Sequence, residues 1–148
     1  MGDTNSSSSK EKPVVKAEPE ETAYRLAQLM EKFNVGCVVI TDNGSPVGIV
    51  TDRDLALAIG TSGFDSKELI AEDIMRSPVD TVEAGASLLE LVKAMAQSNV
   101  RRLPVIDEGK LVDIVTMDDV ISLFAQTLNK LDEVIAAESP TKIKDVVG

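Results

Sequence analysis

Residues 34–55 read NVGCVVITDNGSPVGIVTDRDL, and residues 99–120 read NVRRLPVIDEGKLVDIVTMDDV. A shift of 65 residues, the difference between 34 and 99, superimposes the two stretches without a gap. The same shift carries Pro13-Val14 onto Pro78-Val79. A repeat of this length is one supersecondary unit that cannot bury its apolar face alone. We therefore expect two copies that pack together around a pseudo-symmetric cleft, with matched residues lining it.

Each copy carries the same order of local signals. In the first copy, apolar residues at helical spacing over residues 22–33 predict a helix. Asp42-Asn43-Gly44 predicts a hairpin turn between strands at 37–40 and 47–50. The helix after the second strand is expected to end before Gly60.

The second copy repeats this order. Ser87 with Glu90 forms a capping-box pattern that predicts the start of a helix. Strands are predicted at 103–106 and 111–115, and a longer helix is predicted from Thr116. With a short strand expected before the first helix of each copy, the order is β-α-β-β-α. This order predicts the α+β class.

The copies set the predicted domain boundaries. The Ser-rich residues 1–12 have little to bury and are predicted to be a disordered tail. The first repeat covers 13–60, a linker with a short helix near 66–73 covers 61–73, and the second repeat covers 74–125. Residues 126–148 form a C-terminal helix extension and tail. The helix predicted from Thr116 carries an apolar stripe, which is interpreted either as a dimer interface or as a cap on the core. The stripe consists of Val120, Phe124, Leu128, Leu131 and Ile135.

Composition excludes several function classes. The 148 residues carry a formal charge of -10, which argues against nucleic acid and anionic membrane surfaces as partners. No apolar run is long enough to span a bilayer. The single cysteine, Cys37, fits a reducing compartment, so a cytoplasmic location is expected. The absence of histidine excludes a Ser-His triad and a His-based metal site.

The pattern Thr-x-x-Asp occurs in both copies, as Thr51 with Asp54 and Thr116 with Asp119. Each stands where a strand is predicted to turn into a helix, and backbone N–H groups at such a helix start attract anions. A Thr hydroxyl adds a phosphate donor, and an Asp accepts from the two hydroxyls of a ribose. The alternative interpretation is a capping box, in which the Thr and the acid close on the helix backbone. Both roles are compatible.

Arg101-Arg102 opens a strand of the second copy, where the first copy has Gly36-Cys37. The arginines are therefore no requirement of the fold. Guanidinium groups bind phosphate in bidentate fashion. The alternative is a solvated strand edge or pairing with some of the 25 acidic residues.

The paired motifs resemble a tandem pair of CBS domains, also called a Bateman module. The resemblance rests on Ile74-Met75 with Pro78-Val79, on Arg102-Leu103-Pro104-Val105, and on Ile114-Val115-Thr116 with Asp119. The first copy keeps Gly48-Ile49-Val50-Thr51 with Asp54 but lacks the opening Ile-Met. The resemblance implies two intertwined repeats related by pseudo-two-fold symmetry.

The resemblance also implies that the two Thr-x-x-Asp motifs hold the ribose and phosphate of an adenine nucleotide. It places lining residues from both copies in each pocket. One predicted pocket combines Val14, Val35, Gly36, Cys37, Ile114, Thr116 and Asp119. The other combines Val79, Val100, Arg101, Arg102, Ile49, Thr51 and Asp54. The second pocket is expected to fill first, because both arginines lie beside it.

The sequence predicts a non-catalytic protein. It contains no nucleophile–base pair, Walker loop or metal-ligand set, and its clustered acids are interpreted as solvated helix starts rather than a magnesium site. The leading hypothesis is a regulatory module that senses an adenine nucleotide or S-adenosylmethionine and acts as a homodimer. No catalytic cofactor is expected. The alternative is a ligand-free dimerisation module, or a regulatory subunit that acts in trans on a separate enzyme or transporter.

Overall fold

The computed structural model describes residues 14–138, so the predicted tail 1–12 and positions 139–148 of the predicted C-terminal segment lie outside the described residues. Five helices and six strands occur in this part of the chain. The elements are β1 (Lys16–Ala17), α1 (Ala23–Phe33), β2 (Cys37–Asp42), β3 (Ser45–Thr51), α2 (Asp52–Ser62), α3 (Ala71–Ile74), β4 (Val82–Glu83), α4 (Leu88–Ser98), β5 (Arg102–Asp107), β6 (Lys110–Thr116) and α5 (Met117–Glu138).

The two repeats each supply a three-stranded sheet, with orders β1-β2-β3 and β4-β5-β6. In each sheet the short first strand pairs in parallel with the second, Lys16 with Val39 and Val82 with Val105. In the first sheet β3 returns antiparallel along β2. The predicted α+β class and the β-α-β-β-α order are confirmed.

The hairpin turns repeat the same backbone conformation. Asn43 and Gly44 have φ of 52° and 84°, and Glu108 and Gly109 have φ of 51° and 80°. Two successive residues with positive φ match the right-handed twist of the flanking strands. Glycine adopts this conformation without the Cβ clash that other residues meet, which explains its recurrence 65 positions later.

Helix α2 runs past its predicted end. It extends to Ser62, so Gly60 lies inside the helix and Gly63, with φ of 81°, closes it. The Thr61 hydroxyl donates to the Leu57 carbonyl at 2.7 Å, which anchors the extra turn. The linker helix is also shorter than predicted, because only Ala71–Ile74 is helical.

The predicted capping box of α4 is present. The Glu90 N–H donates to Ser87 Oγ at 3.1 Å, and the Ser87 N–H donates to Glu90 Oε1 at 2.7 Å. The Ser87 backbone donor, helped by the Ser87 side chain, lowers the pKa of the exposed Glu90 carboxyl. The carboxylate therefore satisfies an N–H group that the helix itself leaves without an acceptor.

The described residues divide into two compact units. The first comprises 14–84 and 104–114, and the second comprises 85–103 and 115–138. The second unit buries Met95, Leu103 and Val120. The first unit contains the larger apolar core, in which α1 covers the inner face of its sheet. Its buried members are Val15, Ala23, Leu26, Met30, Val38, Ile40, Val50, Leu55, Leu69 and Ala71.

Candidate functional site

Thr51 and Asp54, which we call the first turn, close on each other at the start of α2. The Asp54 N–H donates to Thr51 Oγ1 at 3.1 Å, and the Thr51 N–H donates to Asp54 Oδ2 at 2.9 Å. Thr51 has extended backbone geometry because it is still the last residue of β3. The capping-box interpretation of this motif is confirmed.

Thr116 and Asp119, the second turn, have the same geometry at the start of α5. The corresponding distances are 3.1 Å from the Asp119 N–H to Thr116 Oγ1 and 2.9 Å from the Thr116 N–H to Asp119 Oδ2. The motif is thus a structural cap in both copies. Ligand binding at these turns stays a prediction, and it must coexist with capping.

The start of α2 does not offer the backbone N–H groups that the sequence led us to expect. The first three all have acceptors: Asp52 donates to the Gly36 carbonyl at 2.9 Å, Arg53 to the Asp52 carboxylate at 2.8 Å, and Asp54 to Thr51. The expectation of free donors here is therefore wrong. A side-chain cation is the other kind of group that pairs with a phosphate at such a turn.

Arg76 is a cation that lies beside this turn, and sequence reasoning missed it. Its Nε and Nη2 atoms each lie 3.1 Å from Asp54 Oδ1. The Asp54 side chain is only 10% exposed, whereas the Arg76 side chain is 67% exposed. No spacing rule links residues 22 positions apart, so the signal was at most a lone basic residue in an acidic stretch.

The backbone holds Arg76 beside the first turn. The Ile49 N–H donates to the Arg76 carbonyl at 3.2 Å, and the Arg76 N–H donates to the Ile49 carbonyl at 2.9 Å. Gly48 permits this approach, because a Cβ there would lie 2.4 Å from Met75 Sδ and 3.0 Å from Met75 Cβ. The segment that opens the second repeat is therefore attached to the edge of β3.

The other predicted residues of the first unit differ in burial and in their contacts with the first turn. Cys37 is half-buried and is the register partner of Thr51, and Gly36 accepts the Asp52 bond. Ile49 is buried in β3. The remaining predicted residues of this unit, all half-buried, are Val14, Val35, Val79 and Ile114.

Val100, Arg101 and Arg102 belong to the second unit. The Arg101 carbonyl accepts from the Met117 N–H at 2.7 Å, which places Arg101 next to the second turn. Within residues 14–138, neither guanidinium has an ion-pair partner. The interpretation that these arginines pair with acidic residues therefore finds no support in the described residues.

A pocket of about 260 Å³ lies against α4 in the second unit. Ligand pockets usually hold roughly 300–1,000 Å³, and this one lies just below that range. Its lining consists of Val92, Met95, Ala96, Asn99, Val100, Arg101 and Met117. Assignment of the predicted residues to two shared pockets stays a prediction.

Residues 14–138 show neither a membrane-spanning helix nor a cluster of metal ligands. None of the described helices combines the length and apolar character needed to cross a membrane. The same residues contain no group of three or more His, Cys, Asp or Glu side chains placed to hold a metal ion.

Comparison with known proteins identifies the repeat. The family model of the CBS domain matches residues 10–61 and 71–126. An uncharacterized protein of Methanopyrus kandleri, MK0525, is 39% identical over 122 residues, which cover 81% of this chain. This chain spans 62% of the length of that relative.

Two solved structures are similar and contain adenosine compounds. One is the CBS domain pair of protein MJ0100 in complex with 5-methylthioadenosine and S-adenosyl-L-methionine. Its TM-score is 0.68 at 28% identity, over 79% of this chain and 92% of that one. The other is the CBS domain protein PAE2072 from Pyrobaculum aerophilum complexed with AMP. Its TM-score is 0.66 at 25% identity, over 78% of this chain and 94% of that one.

Proposed function

Because this chain belongs to the CBS-domain family, we propose that it is a regulatory module that binds an adenine nucleotide or a related adenosyl compound at the first turn. The observation that carries the proposal is the pair formed by Asp54 and Arg76. A carboxylate that is only 10% exposed lies 3.1 Å from a guanidinium that is 67% exposed. The two groups offer an acceptor for ribose hydroxyls next to a donor for phosphate.

The ligands of similar proteins have the chemistry that this pair fits. AMP, 5-methylthioadenosine and S-adenosyl-L-methionine share an adenosine group. A carboxylate such as Asp54 recognises the vicinal hydroxyls of that group, whichever substituent the 5′ carbon carries. The module carries out no chemistry on its ligand in this proposal, since its acids and hydroxyls serve as caps and hydrogen-bond acceptors.

Calorimetric titration with AMP tests the proposal. We expect saturable binding and a raised melting temperature, because a ligand at 100 times its Kd stabilises the folded state by about 2.7 kcal/mol. The matched ligand control is 2′,3′-dideoxy-AMP, which lacks only the two hydroxyls assigned to Asp54. It is expected to bind at least about tenfold more weakly, the loss that removing about 1.4 kcal/mol of hydrogen bonding produces. Equal affinity for both compounds would remove Asp54 as the ribose acceptor.

A second proposal concerns assembly and rests on the apolar stripe of α5. Val120 is buried, but the rest of the predicted stripe is exposed, with Phe124 at 54%, Leu128 at 49%, Leu131 at 54% and Ile135 at 46%. Together with Ile121 these residues alternate in steps of three and four, the spacing of a coiled-coil seam. This exposure does not support the interpretation of the stripe as a cap on the core beyond Val120. We propose that a second copy of the chain covers this face, as in an isologous dimer.

Sedimentation equilibrium tests the homodimer. We expect wild-type protein to be dimeric at micromolar concentration and Leu128→Asp to weaken the dimer at least about tenfold, as for a central interface side chain. The control is Asn129→Asp, which adds the same charge one position off the seam and is expected to leave the dimer intact. A monomeric wild-type protein would refute the proposal.

A further inference from the structure

We propose that Arg76 sets the ligand preference of the first turn by exchanging Asp54 for a ligand phosphate. The turn then selects nucleoside phosphates over uncharged nucleosides. This inference rests on the proposed function, because it names the residue that decides among the adenosine compounds.

Both carboxylate oxygens of Asp54 already accept hydrogen bonds. Oδ2 accepts from the Thr51 N–H at 2.9 Å, and Oδ1 takes the Nε and Nη2 groups of Arg76 at 3.1 Å each. Each carboxylate oxygen has two lone-pair sites, so Arg76 engages both sites of Oδ1. Because the side chain is only 10% exposed, ribose hydroxyls gain Oδ1 only by displacing the guanidinium.

Arg76 can make this exchange without a change of fold, because its backbone is fixed and its side chain is exposed. Its backbone is fixed to β3 by the two hydrogen bonds with Ile49, at 3.2 and 2.9 Å. Its side chain is 67% exposed, and the ion pair with Asp54 is its one polar side-chain contact among the described residues. The guanidinium can therefore swing away from the carboxylate while its Cα stays beside the first turn.

Among residues 14–138, the second turn has no cation paired with its carboxylate. The Asp119 carboxylate accepts from the Thr116 N–H, and no cation contacts it among the described residues. The shift of 65 residues matches Arg76 with Glu11, so the repeat in the sequence does not include this arginine. Arg76 therefore belongs to one repeat only, whereas the caps and hairpin turns occur in both repeats.

The exchange favours a charged ligand for an electrostatic reason. A nucleoside that takes Asp54 leaves the Arg76 guanidinium without its partner. A nucleotide that takes Asp54 brings a phosphate that re-pairs the guanidinium in bidentate geometry. Backbone donors at α2 cannot substitute, since the first three N–H groups already have acceptors.

The test measures the binding of AMP and of adenosine by calorimetry, in the protein with Arg76 and in the Arg76→Gln variant. Both proteins also carry Asp119→Asn to reduce binding at the second turn. We expect AMP to bind about tenfold more weakly, because a charge-assisted phosphate contact is lost. Adenosine is expected to bind about threefold more tightly, because it no longer displaces an ion pair. The ratio of the two affinities therefore falls about 30-fold, the product of these changes.

Two control variants separate this role from general charge and from folding. Arg25→Gln removes one positive charge from the exposed side of α1 and should leave the ratio unchanged. Arg76→Lys keeps the charge and should retain most of the AMP affinity. If Arg76→Gln weakens AMP and adenosine equally, or leaves both unchanged, the Arg76 proposal is wrong while ligand binding stands. If the wild-type protein binds neither compound, the proposed function itself fails.

Discussion

Replacing Asp54 by asparagine is expected to weaken AMP binding by about tenfold to 100-fold, because a hydrogen bond to a charged group contributes about 1.5–3 kcal/mol. The substitution keeps the shape of the side chain. The carbonyl oxygen of the new amide can still accept from the Thr51 N–H, which donates to the native carboxylate at 2.9 Å. What is lost is the second oxygen, which holds Arg76 and is assigned to the ribose.

The protein should remain folded, which makes the measurement clear. The lost pair with Arg76 involves a guanidinium that is 67% exposed, and exposed ion pairs contribute only about 0–1 kcal/mol. Isothermal calorimetry measures the affinity, and circular dichroism checks that the melting temperature is nearly unchanged. A large drop in melting temperature without ligand would instead make Asp54 mainly a structural residue.

Asp52→Asn is the matched control for Asp54→Asn. Asp52 is exposed in the same helical turn, and its carboxylate accepts from the Arg53 N–H rather than from Arg76. Asp52→Asn changes the net charge by the same amount as Asp54→Asn, so an effect of net charge alone would appear in both variants. Asp119→Asn reports on the second turn in the same assay. If Asp52→Asn lowers AMP affinity as much as Asp54→Asn does, the direct role of Asp54 is refuted.

Leu26→Ala is expected to destabilise the fold by about 3 kcal/mol, within the range of roughly 2–5 kcal/mol for truncating a buried leucine. Leu26 is fully buried and lies in α1 facing the sheet of the first repeat. The cost combines lost burial with the cavity that remains, and it is large against the roughly 5–15 kcal/mol that stabilises most domains. Urea denaturation should show a lower midpoint.

The repeat supplies the control for this variant. Leu91 is the residue matched to Leu26 by the shift of 65, and it is only half-buried in α4. We expect Leu91→Ala to cost about half as much, in proportion to the smaller apolar area that it removes from water. Equal destabilisation by the two variants would contradict the burial difference between these helices.

Interactions between residues near each other in the chain were predicted from the sequence, whereas interactions between distant residues were not. The capping box of Ser87 with Glu90 and the turn at Asn43-Gly44 are local interactions between residues near each other in the chain, and both were predicted correctly. The end of α2 was predicted wrongly, because Gly60 is compatible with both a helix interior and a helix end. The Thr61 hydroxyl and the positive φ of Gly63 decide where the helix closes.

The candidate site divides in the same way. Thr51 and Asp54 are close neighbours in the chain, so the sequence by itself offered the capping box at the start of α2 that the structure confirms. The sequence also predicted two units with the same order of helices and strands, because the same pattern of residues occurs twice. Only the tertiary structure decided that the Gly36 carbonyl takes a helix N–H and that Arg76 takes the carboxylate. The physical reason is that these partners meet through pairing between segments that are distant in the chain. Such pairing has no fixed spacing along the sequence, so the sequence does not predict it.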